Sequence, residues 1–124
     1  MDILVDTHVF LWSICEPAKL KERQKLELET PSNRVWLSSV SITEIMIKAS
    51  LGKLNFDLDL LEAAQLSGYE LLDFSAADAV PLRDLPFHHR DPFDRMLISQ
   101  AIVRGHAIMS SDDKFGLYPC KLLD

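Results

Sequence analysis

The sequence predicts an α/β fold in which short parallel strands alternate with helices that cover both faces of the sheet. Three observations carry this expectation. Short β-branched and apolar runs recur along the chain, segments with helical spacing separate them, and the six prolines lie at element boundaries rather than in a linker. No repeat or low-complexity segment interrupts the pattern, so 124 residues that are 48% apolar suit one domain, residues 1–124, with one hydrophobic core.

The elements follow in order. "DILVD" reads as a buried strand, and "THVFLWSI" places Val9, Phe10 and Trp12 or Ser13 at helical spacing directly after it. "KLKERQKLELE" predicts a charged amphipathic helix with Leu20, Leu26 and Leu28 as its apolar positions, and "RVWLS" the next strand. From Ser41, "SITEIMIKASL" sets Ile42, Ile45, Met46 and Ala49 on one helical face, with Gly52 as terminator. "DLDLLEAAQLS" repeats that grammar before the strand "YELLDF", and "SAADAVPLRDL" begins a helix interrupted by Pro81. A helix starting at "DPFD" should run to about Arg104 and stop at Gly105, followed by the strand "HAIMS" and a last candidate strand in "CKLLD".

Charge and cysteine usage narrow the function classes. Nineteen acidic against thirteen basic side chains give a net charge of -6, which argues against binding nucleic acid by general phosphate neutralisation. Bound divalent cations can reverse that sign locally, so a nucleic-acid substrate stays open. Cys15 and Cys120 lack the close pairing of a zinc ribbon or a redox motif, which fits reduced thiols in a cytoplasmic protein. The apolar run "ILV" stops at Asp6 without the features of a signal peptide, and no run is long enough to span a membrane, so a soluble, unprocessed chain is expected.

Four acids occupy corresponding places. Asp6 ends the first strand, Asp112 follows "HAIMS", and Glu44 and Asp94 are expected in the first turns of helices that start on the strands' carboxyl side. In open α/β sheets that rim is where ligands bind. Each acid also has a structural reading: Asp6 and Asp112 suit helix caps, and Glu44 completes a capping box with Ser41 in "SITE". Asp91 stands before Pro92 and reads mainly as a structural cap, which leaves Asp94 as the better chemical candidate. Collectively, crowded carboxylates repel one another unless protons or cations neutralise them, and magnesium or manganese is the natural counterion for oxygen donors. Two such ions about 4 Å apart suffice to activate a water and stabilise the leaving oxygen of a phosphodiester. Spacing alone makes this chemistry suggestive.

The blocks "VDTHVFLW", "SSVSITEIMIKASLGKL", "HHRDPFDRMLISQA" and "SSDDKF" resemble, in order, the signature blocks of the PIN-domain ribonucleases, most closely the VapC-type toxin branch. The resemblance runs over nearly the whole chain. It implies a three-layer α/β/α sandwich around a parallel sheet of about five strands, and a Mg2+- or Mn2+-dependent endoribonuclease. Carried over by motif, Asp6, Glu44, Asp94 and Asp112 would be the catalytic metal ligands. Ser110 stands where the family often has threonine, and the extra acid Asp113 is the alternative to Asp112 at the fourth position. The resemblance further implies a small VapB-type antitoxin as partner and a homodimer. Thr7 and Ser110 are candidates for orienting ligands or substrate, or for capping.

Lys48, Lys53, Arg90 and Arg95, with His88 and His89, offer a local positive margin for an RNA backbone, or are ordinary surface charges. His8 is left outside the site because metal chemistry does not need it. Trp12, Trp36 and Phe93 fall in apolar runs and read as core rather than as stacking platforms. Two rivals remain at this level. A phosphoacceptor receiver would want adjacent acids after the first strand, where only Asp6 stands, and a silent PIN-fold binding module would want a broken acid set.

Overall fold

The computed structural model describes residues 1–124 and contains five parallel strands in the order β3-β2-β1-β4-β5, where β1 is Asp2–Val5, β2 Arg34–Ser38, β3 Glu70–Leu72, β4 Ala107–Met109 and β5 Leu122–Leu123. The three layers expected from the sequence are present. Side chains alternate across the sheet with period two, so each strand feeds two cores. Ile3, Val5, Val35, Leu37, Ala107 and Met109 join one core with Val9, Phe10 and Ile45. Leu4 and Ile108 join the other, with Leu97, Ile98, Ala101 and Phe115.

The helices are α1 (Thr7–Cys15), α2 (Glu22–Glu29), α3 (Ser39–Ser50), α4 (Leu60–Leu66), α5 (Ala76–Ala79) and α6 (Pro92–Arg104). None is long and apolar enough to cross a membrane. As expected from Pro81, α5 is short and gives way to a 3-10 turn over Val80–Arg83. The last long helix ends at Gly105, whose φ of 68° lies in the left-handed region, and His106 N–H closes the turn on the Ala101 carbonyl at 3.0 Å.

Two local expectations are corrected. In α2 the inward residue is Gln24, while Leu26 is exposed. The Gln24 carbonyl accepts from Lys21 N–H at 3.1 Å and its amide donates to Ser111 Oγ at 3.2 Å, so a polar side chain ties this helix to the loop after β4. In α3 the cap is Ser38, whose hydroxyl accepts from Val40 N–H, so the helix begins before Ser41. No capping box forms there: Glu44 lies in the second turn, pointing inward, and Met46 faces solvent.

The chain order fixes where a ligand can approach. From β1 the sheet first grows through β2 to β3, and then on the other side of β1 through β4 to β5. Strand order therefore reverses at the β1–β4 pair, and the carboxyl ends of those two strands form the switch-point crevice.

Candidate metal centre

Asp6 follows β1 directly and is pinned to β4 by its own N–H, which donates to the Met109 carbonyl at 2.9 Å. Its carboxylate caps α1, accepting from Val9 N–H at 2.7 Å, and the Ser110 hydroxyl acts on it in favour of the charged form. Capping and site position thus coincide in one residue. Burial pushes the Asp6 carboxyl up, against the pull of Ser110 and Val9, and the nearby Glu44 charge adds to the rise.

The second turn of α3 delivers Glu44, which is 3% exposed. Thr7 Oγ1 lies 2.7 Å from Glu44 Oε1 and 3.0 Å from Ser41 Oγ. A hydroxyl has one proton, and the carboxylate is the stronger acceptor for it. Lys48, one turn further along the helix, donates to the other oxygen, Oε2, at 2.6 Å. That contact raises the Lys48 pKa despite the cost of burial, with Asp91 and Asp94 contributing through charge.

Asp91 takes the capping place that the sequence suggests. Asp91 is the N-cap of α6, accepting from Asp94 N–H at 3.0 Å, with Pro92 at the first helical position. Asp94 therefore keeps its own carboxylate for the crevice. Burial first, and then the charges of Asp91, Asp6, Glu44 and Asp112, push that carboxyl up to about 7. Asp112 comes from the loop after β4: its N–H donates to Ser110 Oγ at 3.0 Å, and its Oδ1 caps the following 3-10 turn by accepting from Lys114 N–H at 3.0 Å. The other oxygen, Oδ2, faces the crevice, whereas Asp113 is exposed.

The cap can be tested by substitution. Asp91→Ala should cost about 1 kcal/mol and Asp91→Asn much less, because asparagine also caps. Urea melts of the two variants check this, and an equal loss in both would contradict the cap.

His89 and Arg95 lie elsewhere than expected. His89 is 8% exposed, and its Nε2 sits 2.9 Å from Asp112 Oδ2 and 3.0 Å from Asp94 Oδ2. These three residues present ligand atoms within 4.8 Å of one another. Arg95 is 6% exposed rather than at the rim. Its guanidinium donates to the carbonyls of Pro86, His89 and Leu85 at 2.9, 3.2 and 3.0 Å and stacks on Phe87, so it fastens the loop that carries His89 and is withdrawn from any RNA surface. An arginine followed by a helical apolar run is the one sequence signal for this role, and it is indistinguishable from a surface cation without the loop's path.

Beside the acids a cleft of about 320 Å³ is lined by Thr7, His8, Trp12, Lys48, Lys53 and Phe56. Trp12 is thus half-buried core on one side and cleft wall on the other, with His8 exposed next to it. Trp36 packs away from the crevice, donating to Asp2 at 3.0 Å and stacking on His106, and Phe93 packs on the second core. Arg90 and His88 are exposed on the loop before α6.

The PIN domain family matches residues 3–119. No curated protein matches the chain in sequence. Among solved structures, it is similar to a chain of the VapBC2 complex of Rickettsia felis bound to a promoter DNA fragment, at 20% identity, covering 99% of this chain and 98% of that one with a TM-score of 0.74. A DNA-bound VapBC complex from Salmonella typhimurium gives 19% identity, 100% and 98% coverage and a TM-score of 0.68. The FitAcB structure from Neisseria gonorrhoeae gives 17%, 98% and 96%, and 0.64. At these identities the likeness is one of fold.

Proposed function

The chain belongs to the PIN-domain family, and from that premise we propose that it is a Mg2+- or Mn2+-dependent endoribonuclease, the toxin of a VapBC-type pair, with Asp6, Glu44, Asp94 and Asp112 as its catalytic metal-holding acids. The observation that carries this reading is the Asp94 carboxyl, pushed up to about 7 within a group of acids gathered at the switch point. A site that raises the cost of its own negative charge is built for a cation. The facing donors are carboxylate oxygens, which fits hard divalent ions. When bound, such an ion offsets the crowded charge and supplies Lewis acidity toward water and a phosphodiester.

The chain's own residues do the rest. Thr7 and Lys48 each hold one oxygen of Glu44, and Val9 N–H holds Asp6, so these carboxylates would meet the ion with fixed orientation. Lys53 in the cleft wall and Arg90 on the exposed loop before α6 are the basic groups offered to the phosphates of a bound strand, with Lys48 paired to Glu44 beside them, which a protein of net charge -6 needs locally. A VapB-like antitoxin and a second copy of this chain are the proposed partners, acting in the cytoplasm. The solved VapBC complexes support the fold in such assemblies. An intact acid set favours turnover over a silent RNA-binding PIN fold, and family membership removes the receiver alternative.

Purified protein should cut RNA with Mg2+ or Mn2+, stop with EDTA, and resume when the ion is restored; co-expression with the product of the adjacent reading frame should suppress the cleavage. Equal cleavage by an Asp6→Asn preparation, or after complete chelation, would overturn the metal mechanism.

A further inference from the structure

We infer that His89 is the positioning residue of this acid site: its Nε2–H holds the Asp112 carboxylate against Asp94 and turns both toward the ion without ligating it. The inference rests on the nuclease reading above and extends it to a residue outside the four acids.

The argument begins with the other ring nitrogen. Asp91 N–H points at His89 Nδ1 at 3.2 Å, so Nδ1 accepts and carries no proton. An imidazole has at least one N–H, which places the proton on Nε2. That N–H meets Asp112 Oδ2 at 2.9 Å with Asp94 Oδ2 3.0 Å from the same nitrogen. A nitrogen that carries its proton has no lone pair for a metal, so proximity to two carboxylates here makes a clamp rather than a third ligand.

The ring is held from every side. His89 N–H donates to the Tyr118 hydroxyl at 2.8 Å, and that hydroxyl donates to the Pro86 carbonyl at 2.6 Å. The His89 carbonyl accepts from Arg95, and the ring stands edge-on to Phe115 at 5.6 Å between centroids. Such restraint suits a group whose task is direction. It also divides the oxygens of Asp112: Oδ1 caps the 3-10 turn, Oδ2 is held by His89, and the carboxylate is thereby fixed in rotation. Asp94 lacks a second side-chain donor in this arrangement, so His89 is what stands between the third and fourth acids.

Three measurements test this. Metal-free wild-type protein labelled with 15N should show the Nε2–H tautomer for His89 in long-range 1H–15N spectra. Calorimetric Mn2+ titration should show weaker binding by about 10–100-fold in His89→Phe, the range for removing a partner of a metal ligand, and most of the affinity regained in His89→Gln, whose amide places an N–H near the Nε2 position. Pulsed EPR of the Mn2+-loaded wild type should show no directly coordinated nitrogen. The Gln variant and thermal melts guard against misfolding of the Phe variant. A directly bound nitrogen signal that disappears in His89→Phe would make His89 a ligand and overturn the inference, as would the Nδ1–H tautomer or equal Mn2+ affinity in folded Phe and Gln variants. Absence of Mn2+ binding by the wild type would instead overturn the acid-site reading, whereas a Mn2+-binding wild type indifferent to residue 89 would overturn only the inference.

Discussion

Asp94→Asn is expected to lower RNA cleavage on the order of 100-fold or more while making the metal-free protein more stable above neutral pH. The second effect follows from linkage. The folded Asp94 carboxyl titrates at about 7 against an ordinary value of 3.8, so the native state binds the extra proton between those values. Its contribution to stability is complete below about pH 4 and is lost as pH rises through 7. The asparagine variant carries a neutral side chain throughout and lacks that loss. At pH 8 in EDTA it should exceed wild type by about 1–2 kcal/mol, a figure reduced for the solvent that reaches this carboxyl, and the difference should shrink toward pH 4. Urea melts across pH 4 to 8 read both the sign and the window. A variant less stable than wild type at pH 8 would contradict the account of a repelled, buried charge.

Arg95→Met is expected to be the most destabilising single change near the site, by about 3 kcal/mol. Removing the guanidinium strips the carbonyls of Leu85, Pro86 and His89 of their donors and takes away the cation packed 3.9 Å over Phe87. Arg95→Lys should recover little, because one ammonium cannot reproduce a planar fork aimed at three acceptors. Denaturant midpoints measure the loss. Manganese affinity should fall alongside, since the loop released is the one that holds His89. Wild-type stability in Arg95→Lys would contradict the clamp.

Arg95, with His89, also marks the limit of what spacing in the sequence reveals. The strands were legible because a parallel sheet buried on both faces needs apolar residues at successive positions, as in Ile3, Leu4 and Val5. Asp6, Asp94 and Asp112 were legible as acids at element ends, and Asp91 as a cap, because proline and helix polarity fix those positions locally. Glu44 was placed one turn too early: Ser38, Ser39 and Ser41 can all cap, and only the length of β2 decides for Ser38. The inward Gln24 in place of Leu26 depends on a partner, Ser111, that is distant in sequence. Arg95 and His89 look like surface cations in "HHRDPFDR" because their acceptors come from the path of the loop over 85–89, from Tyr118 and from Asp112, none of which has a local signature.

The most direct test of the central claim, that the gathered acids form a divalent-cation site, is calorimetric titration of chelator-treated protein with Mn2+ at pH 7.5, wild type beside Asp6→Asn and Asp94→Asn. The wild type should bind Mn2+ with a melting temperature that rises with ion concentration, and each variant should bind more weakly by about tenfold or more. Failure of the wild type to bind, or binding undiminished in both variants, would contradict the account.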